Sequence, residues 1–211
     1  MSASRRLQLL DWAQATGSWI IEDDYDSEYR HATQPVASLQ GMDRDARVVY
    51  IGTFSKVLFP ALRMGYLVIP SDLVERFSAA REAMDICPPA LNSAVLTDFI
   101  VEGHFARHLR RSNLLYRERR RVLVDALGRN FGPRLQVVGS EAGIHLVALL
   151  DRGGDRSVSE RAARIGLWAM PLSACYAGKP RRQGFVLGYG GTGTAQIPRA
   201  VARLRDVVRG S

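Results

Sequence analysis

The residue with the clearest chemical potential in this sequence is Lys56, whose neighbours along the chain include the apolar residues Phe54, Val57, Leu58 and Phe59. Apolar neighbours favour the uncharged amine of a lysine, which is the form that attacks a carbonyl carbon and forms an imine. An imine between a lysine and an aldehyde cofactor is the central requirement of pyridoxal phosphate (PLP) chemistry. The sequence therefore predicts that Lys56 carries PLP as a Schiff base, the internal aldimine.

The acidic segment Glu22-Asp23-Asp24-Tyr25 offers two further groups that PLP requires. The cofactor needs a carboxylate at its ring nitrogen, because a protonated ring accepts the electrons released when a substrate bond breaks. Side chains alternate along an extended segment, so Asp23 and Tyr25 share one face while Asp24 points to the other. We therefore predict that Asp23 binds the ring nitrogen and that Tyr25 donates a hydrogen bond to the ring oxygen.

The phosphate of the cofactor needs an anion site, and Thr53, Ser55 and Arg63 near Lys56 carry suitable hydroxyl and guanidinium groups. Each of these residues alone has an ordinary explanation, because a lysine after a strand is usually a surface charge and an acidic cluster is usually a solvated loop. Their combination between Asp23 and Arg63 is far more specific. The sequence predicts PLP as the cofactor and predicts no metal site.

Short apolar segments are expected to position these residues. Residues 18–21 and 47–51 have the pattern of buried strands, and polar residues follow each of them. Residues 66–69 predict a third strand, and residues 71–84 predict a helix with Leu73, Val74 and Phe77 on its buried side. Ligands of open α/β sheets bind at the carboxyl ends of strands, so the acidic segment and Lys56 are expected to face one pocket.

The second half of the chain has a different pattern. Residues 90–130 are predicted to be helical with a break at Gly103, and residues 135–138, 143–150, 167–170 and 184–189 resemble strands. One helix is predicted at the start of the chain, at residues 5–16, and a last helix is predicted at residues 197–208. We therefore predict an α/β protein in which a first domain covers residues 1–102 and an interdomain helix with a small α+β domain covers residues 103–211.

The composition is that of a globular protein with a basic excess, since 29 Lys and Arg against 21 Asp and Glu give a net charge of +8. Such a charge would permit binding to nucleic acid or to anionic small molecules. It is carried mainly by arginine, however, and an arginine-rich coding bias would produce the same excess. The arginines between residues 107 and 121 spread around the predicted helix, which indicates a solvated helix rather than a DNA-binding face.

Cys87 and Cys175 are too few for a disulfide framework and are predicted to be packing residues. The sequence contains no apolar stretch long enough for a signal peptide or a membrane span, so the cytoplasm is the predicted location and no membrane partner is expected. His104 and His108 have the i, i+4 spacing of zinc ligands, but no glutamate follows the first and no third ligand is evident. We predict that both belong to the surface or core of the helix.

Residues 20–30 and 50–66 closely resemble the MocR subfamily of GntR-type bacterial regulators, which join a winged-helix DNA-binding domain to an aminotransferase-like domain of PLP fold type I. Further marks of the resemblance lie at residues 102–105, 108–111, 116–120 and 142–146. The resemblance therefore covers nearly the whole chain. It implies an incomplete large PLP-binding domain, of which residues 1–102 are the C-terminal part, followed by a small C-terminal domain.

The resemblance implies the same site roles as the chemistry: Lys56 as the Schiff-base lysine, Asp23 at the pyridine nitrogen, Tyr25 at the ring oxygen, and Thr53, Ser55 and Arg63 around the phosphate. It also implies a homodimer, an amino-acid-like or amine-like ligand, and DNA binding only through a winged helix that this chain lacks. The glycine-rich phosphate turn, the residue that stacks on the ring and an asparagine near the ring oxygen are expected to lie outside the chain as well.

One position departs from the aminotransferase pattern. Enzymes of this fold usually carry an arginine before a Leu-Gly-Phe-like triplet to bind the substrate carboxylate, whereas this sequence has Val186 before Leu187-Gly188-Tyr189. Valine cannot make a bidentate contact with a carboxylate. The main interpretation is therefore a sensory effector domain of a regulator. A stand-alone PLP-dependent aminotransferase and a remnant that binds no cofactor are the alternatives.

Overall fold

Two sheets organise the part of the chain that the computed structural model describes, which comprises residues 1–29, 37–84, 90–139, 142–151 and 153–210. Cys87 and Arg30 lie outside the described residues. The chain divides into two compact units, the first formed by Met1–Ser27 and Thr33–Leu109 and the second by Glu28–Ala32 and Arg110–Ser211. The domain boundary that the sequence predicts between residues 102 and 103 remains a prediction.

The first unit contains a three-stranded sheet in the order β1-β2-β3. Its elements are helix α1 (Ala3–Thr16), strand β1 (Ile20–Asp24), the short helix α2 (Leu39–Met42), strand β2 (Val48–Thr53), strand β3 (Gly65–Val68), and helices α3 (Val74–Met84) and α4 (Ala90–Val101). Strands β1 and β2 are parallel, and β3 is antiparallel to β2. The three predicted strands are therefore confirmed to within a few residues.

Local signals in the sequence explain where α1 begins and ends. The Ser2 hydroxyl accepts a hydrogen bond from the Arg5 N–H, which satisfies one of the free donors at the start of the helix. Gly17 ends the helix with φ = 66°, a left-handed conformation that glycine adopts without a steric penalty. Ala13 of this helix packs with Ile20 and Val48 in the small core of the first unit.

The prediction for residues 71–84 was wrong about burial. A short 3-10 turn (Ser71–Leu73) leads into α3, as the pattern indicated, but α3 has no buried residue. Val74 is 45% exposed and Phe77 is 37% exposed. The reason is that, within the described ranges, no second layer of structure covers this side of the helix.

The second unit contains a four-stranded antiparallel sheet in the order β4-β5-β7-β6. Its elements are most of helix α5 (His104–Phe131), strands β4 (Leu135–Val138) and β5 (His145–Leu150), helix α6 (Asp155–Arg164), strands β6 (Met170–Pro171) and β7 (Gln183–Gly188), and helix α7 (Ile197–Arg209). The predicted break at Gly103 and the predicted last helix are confirmed. In the described ranges, no helix combines the length and the apolar character needed to cross a membrane.

The strand predicted at residues 167–170 is reduced to Met170–Pro171. The Leu167 N–H donates to the Ala162 carbonyl and the Gly166 N–H donates to the Ala163 carbonyl, which together form the Schellman end of α6. Since these backbone groups terminate a helix, they are not available to a sheet.

A buried carboxylate joins three elements of the second unit. Asp155, at 1% exposure, accepts hydrogen bonds from the Ser173 N–H at 2.8 Å, the Ser173 hydroxyl at 2.6 Å and the Gly184 N–H at 3.2 Å. Burial alone would raise the pKa of this carboxyl, but the hydrogen bonds from Ser173 and from the backbone of Gly184 and Arg156 lower it overall.

Candidate functional site

The register of the first sheet brings the predicted site residues to one edge. Asp24 at the end of β1 lies beside Gly52, and Thr53 at the end of β2 lies opposite Gly65 at the start of β3. The carboxyl ends of the two parallel strands therefore meet where the third strand begins. The acidic segment and the Lys56 segment therefore follow neighbouring strands, which the prediction that they face one pocket requires.

The alternation of side chains in β1 separates the two aspartates. Asp23 and Tyr25 are exposed, whereas Asp24 is half-buried. Since paired residues point to the same face of a sheet, Asp23 shares a face with its partner Ile51 and thus with Thr53, two positions further on. Asp24 points to the other face.

Asp24 is held on that face by Tyr50 and Ser27, which the sequence did not reveal as site residues. Its carboxylate accepts a hydrogen bond from the Tyr50 hydroxyl at 2.9 Å and two more from the hydroxyl and N–H of Ser27, at 2.5 and 3.2 Å. Burial, followed by the hydrogen bond to Asp24, raises the pKa of Tyr50 well above its usual range. Asp24 thereby fixes the strand end that presents Asp23 and Tyr25.

Lys56 lies in a tight turn directly after β2. The Phe54 N–H donates to the Met64 carbonyl at 3.0 Å, and the Leu58 N–H donates to the Phe54 carbonyl at 2.9 Å. The Thr53 hydroxyl oxygen accepts from the Ser55 N–H at 3.2 Å. These bonds fix the backbone on both sides of Lys56.

The next residue anchors the turn. Val57 is 1% exposed, and its carbonyl lies 2.7 Å from Nε2 of His108. Lys56 itself is exposed, so the described residues do not desolvate it as its apolar neighbours led us to expect. The physical reason is that the turn directs Val57 inward and Lys56 outward. His108 thus has a specific structural role, and because it is far from Val57 in the chain, no local signal revealed it.

An aromatic group supports the base of this turn. The Tyr66 ring covers Gly52 so closely that a Cβ atom there would lie 2.3 Å from the ring. The Phe54 ring centroid lies 5.4 Å from that of Tyr66 and 5.8 Å from that of Phe105. Glycine at position 52 is therefore required for Tyr66 to pack under the strand end that carries Thr53.

Arg63 precedes β3 and is exposed. Its backbone has φ = 51°, in the left-handed region that non-glycine residues rarely adopt, and its N–H donates to the Pro60 carbonyl. The 3-10 turn Pro60–Leu62 thus delivers Arg63 at the edge where Thr53 ends β2.

Tyr25 is suited to donate a hydrogen bond. The negative charge of Asp26, together with partial burial and the charge of Asp23, raises the pKa of its hydroxyl. A phenol with a raised pKa keeps its proton across the neutral range. The groups that lie at or after the ends of β1 and β2 thus include a lysine amine, a carboxylate, a protonated phenol, two hydroxyls and a guanidinium, which are the types of group that PLP would need.

Residues 4–203 match the protein family described as aminotransferase class I and II. The match covers nearly the whole chain, so it includes both units and all six predicted site residues.

Two bacterial regulators are among the proteins similar to this chain. The probable rhizopine catabolism regulatory protein MocR of Rhizobium meliloti is 41% identical over 98% of this chain and 42% of its own length. The pyridoxine biosynthesis transcriptional regulator PdxR of Corynebacterium glutamicum is 32% identical over 99% of this chain and 45% of its own length. The chain thus spans less than half the length of these relatives.

Solved structures of aminotransferases resemble the chain closely. The multiple substrate aminotransferase of Thermococcus profundus superposes with a TM-score of 0.89 and 26% identity, over 100% of this chain and 52% of that one. The α-aminoadipate aminotransferase LysN of Thermus thermophilus, complexed with N-(5'-phosphopyridoxyl)-L-leucine, superposes with a TM-score of 0.87 and 25% identity, over 99% of this chain and 55% of that one.

Proposed function

We propose, from the premise that this chain belongs to the family of class I and II aminotransferases, that it is the PLP-binding effector domain of a MocR-type transcription regulator. The observation that carries the proposal is the edge of the β1-β2-β3 sheet, where Asp23, Thr53 and the Lys56 turn come together. The expected resemblance to MocR-type regulators is confirmed, because such regulators match nearly the whole chain. The fold is that of PLP-dependent aminotransferases of fold type I.

Each residue at the edge has one task in this proposal. Lys56 would bind PLP through Nζ, and Asp23 would hold a proton at the ring nitrogen. Tyr25 would donate its hydroxyl proton to the ring oxygen, and Thr53, Ser55 and Arg63 would neutralise the phosphate. When bound, PLP supplies an aldehyde that combines with amines and a ring that accepts electrons.

The neighbours of these residues would keep the edge in position. Asp24, through Tyr50 and Ser27, holds the end of β1, and His108 holds the Lys56 turn through the Val57 carbonyl. A preorganised edge lowers the cost of binding, because less backbone freedom is lost when the cofactor arrives.

As a regulator domain, the chain would respond to an amino-acid-like or amine-like molecule that reacts with the bound cofactor. We further propose that it acts in the cytoplasm as a homodimer, and that a winged-helix domain of the regulator makes the DNA contacts. PdxR is by its name a regulator of pyridoxine biosynthesis and MocR of rhizopine catabolism. Both names concern metabolic pathways, which supports a small-molecule ligand for this chain.

A stand-alone aminotransferase is the second candidate, and the close superposition on aminotransferase structures favours it. Val186 counts against it. This residue lies within β7, paired with Val147 and Met170, so the strand position expected to bind a substrate carboxylate is apolar. A winged-helix coding region upstream in the same gene would support the regulator, and a complete aminotransferase half without one would support the enzyme.

The direct test of the proposed cofactor uses the purified chain mixed with PLP. We expect a visible absorbance band from bound PLP and, after borohydride reduction and peptide mass mapping, a phosphopyridoxyl group on Lys56. Lys56→Ala should lose both signals. The chain has one other lysine, Lys179, so Lys179→Ala is a matched control that should keep them. A label on Lys179, or an equal band in Lys56→Ala, would refute the role of Lys56.

A further inference from the structure

A cleft of about 560 Å³ lies at one edge of the second sheet, where β4 begins, β5 ends and β7 begins. Leu135, Leu150 and Gln183 are paired across these three strands. The next row outward therefore holds Arg134, Asp151 and Arg182, and the Asp151 N–H still donates to the Arg134 carbonyl at 3.2 Å. We call this the arginine cleft, after the three arginines that line it: Arg134, Arg181 and Arg182.

The charge in the arginine cleft is unbalanced, since Asp151 is the sole acidic residue among the described residues that line it. In the part of the chain that the structure describes, neither Arg134, Arg181 nor Arg182 forms an ion pair or a side-chain hydrogen bond. Three positive charges against one negative charge in a concave site create a local potential that attracts anions.

Some other arginines of the same unit are engaged, whereas several exposed ones, such as Arg110 and Arg111, have no ion pair among the described residues but lie outside the cleft. Arg121 bonds to Glu118 at 2.7 Å and to Asp125 at 3.2 Å. Arg205 bonds to Asp206 and Asn130, and Arg156 bonds to the Ser173 hydroxyl. An arginine-rich composition explains how many arginines there are, but it does not explain why three without partners gather in one cleft.

Rigid backbone precedes two of the three arginines. Pro133 comes directly before Arg134 within the 3-10 turn Gly132–Arg134, and Pro180 comes directly before Arg181. Both prolines also line the cleft. Because proline fixes its own φ angle, the backbone at these positions loses little freedom when a ligand binds.

We propose that the arginine cleft binds a small phosphate-bearing anion. This site shares no residue with the proposed PLP site around Lys56. Guanidinium groups match phosphate oxygens in bidentate geometry, and the cleft has the volume of ordinary small-molecule sites. A second cleft of about 500 Å³ shares Arg134 and Asp151 and adds Arg205 and Arg209, so a longer anion has room to extend. The site lies wholly in the second unit and does not depend on the proposed function.

The test is isothermal titration of the purified chain with sodium pyrophosphate at low ionic strength. The double variant Arg181→Ala/Arg182→Ala should bind about tenfold more weakly or worse, because charge-assisted hydrogen bonds are lost. The double variant Arg110→Ala/Arg111→Ala is the matched control, since it removes the same charge from exposed positions of α5 that do not line the cleft. It should bind within about twofold of the wild type, as distant surface charges contribute little.

Two further variants keep the result interpretable. Arg181→Lys/Arg182→Lys retains the charge and should bind between the wild type and the alanine variant, because lysine lacks the planar fork. Lys56→Ala should bind pyrophosphate as the wild type does, which separates this site from the proposed PLP site. If the alanine variant fails to fold by circular dichroism, the lysine variant and Arg134→Gln decide.

Three results would overturn the proposal: no saturable pyrophosphate binding by the wild type, equal weakening in the Arg110/Arg111 control, or cleft-dependent binding of a short DNA duplex without binding of pyrophosphate. The last result would assign the arginines to a nucleic-acid backbone instead of a small anion.

Discussion

The two units of this chain differ in how well their own residues cover their apolar surfaces. In the second unit, α5, α6 and α7 pack on one sheet around a continuous core that includes Leu127, Leu146 and Phe185, each at most 1% exposed. In the first unit, the described core is a small cluster around Ala13 and Ile20.

Large apolar side chains of the first unit are correspondingly exposed. Ile21 of β1 is 69% exposed, Met84 of α3 is 83% exposed and Leu91 of α4 is 76% exposed. The candidate PLP site nevertheless lies in this unit. The difference shows that the residue types of a site can lie within a short stretch of sequence, whereas stability depends on layers of packed side chains.

The largest expected effect tests this difference in the cores. Phe185→Ala should destabilise the protein by about 3–5 kcal/mol, because it opens a cavity beneath a central strand. Phe77→Ala, the matched change on the partly exposed side of α3, should cost less, about 1 kcal/mol, because more than a third of the side chain is already in solvent. Urea unfolding followed by circular dichroism measures both. Similar costs for the two variants would contradict the difference between the units.

A buried carboxylate provides the next test. Asp155→Ala should cost about 2–3 kcal/mol at neutral pH, because the N–H groups of Ser173 and Gly184 and the Ser173 hydroxyl lose their acceptor inside the second unit. The cost should depend on pH. The folded-state pKa of Asp155 is lowered, so its stabilisation is present above the unfolded pKa of about 4 and is lost as the pH falls through the folded pKa.

Unfolding measured at several pH values checks the sign of this effect. The gap between the wild type and Asp155→Ala should narrow on acidification below about pH 4. A gap that widens in acid would show that burial of the carboxyl, and not its hydrogen bonding, dominates in the folded protein.

The smallest expected effect concerns a similar carboxylate in the first unit. Glu22 accepts hydrogen bonds from the N–H groups of Leu39 and Gln40, at 2.9 and 3.0 Å, and from Arg6 at 3.2 Å. Because this site is partly solvated, Glu22→Ala should cost only about 1 kcal/mol. Hydrogen exchange should show faster exchange of the α2 amides than in the wild type, with the β5 and β7 amides unchanged. Loss of protection in the second unit as well would mean that the two units unfold together.

Local sequence signals predicted much of this fold and of the candidate site. The apolar runs at β1 and β2, the break at Gly103 and the proline-led last helix were all visible in the sequence, since each depends on residues close together in the chain. The strand predicted at residues 167–170 is shortened and shifted to Met170–Pro171, because Gly166 and Leu167 end α6 with a backbone motif that apolar periodicity does not reveal.

By itself, the sequence determined the chemistry of the candidate site. It contains a lysine after one predicted strand, and after another an aspartate and a tyrosine two positions apart, which lie on the same face of an extended segment. The tertiary structure alone decided what holds these residues, since Tyr50 reaches Asp24 and His108 reaches Val57 across long stretches of chain. It also decided that Lys56 and the predicted inner side of α3 are exposed. The physical reason is that the alternation of side chains along a strand and the periodicity of a helix depend on residues close together in the chain. Burial and hydrogen-bond partners depend on which elements pack together.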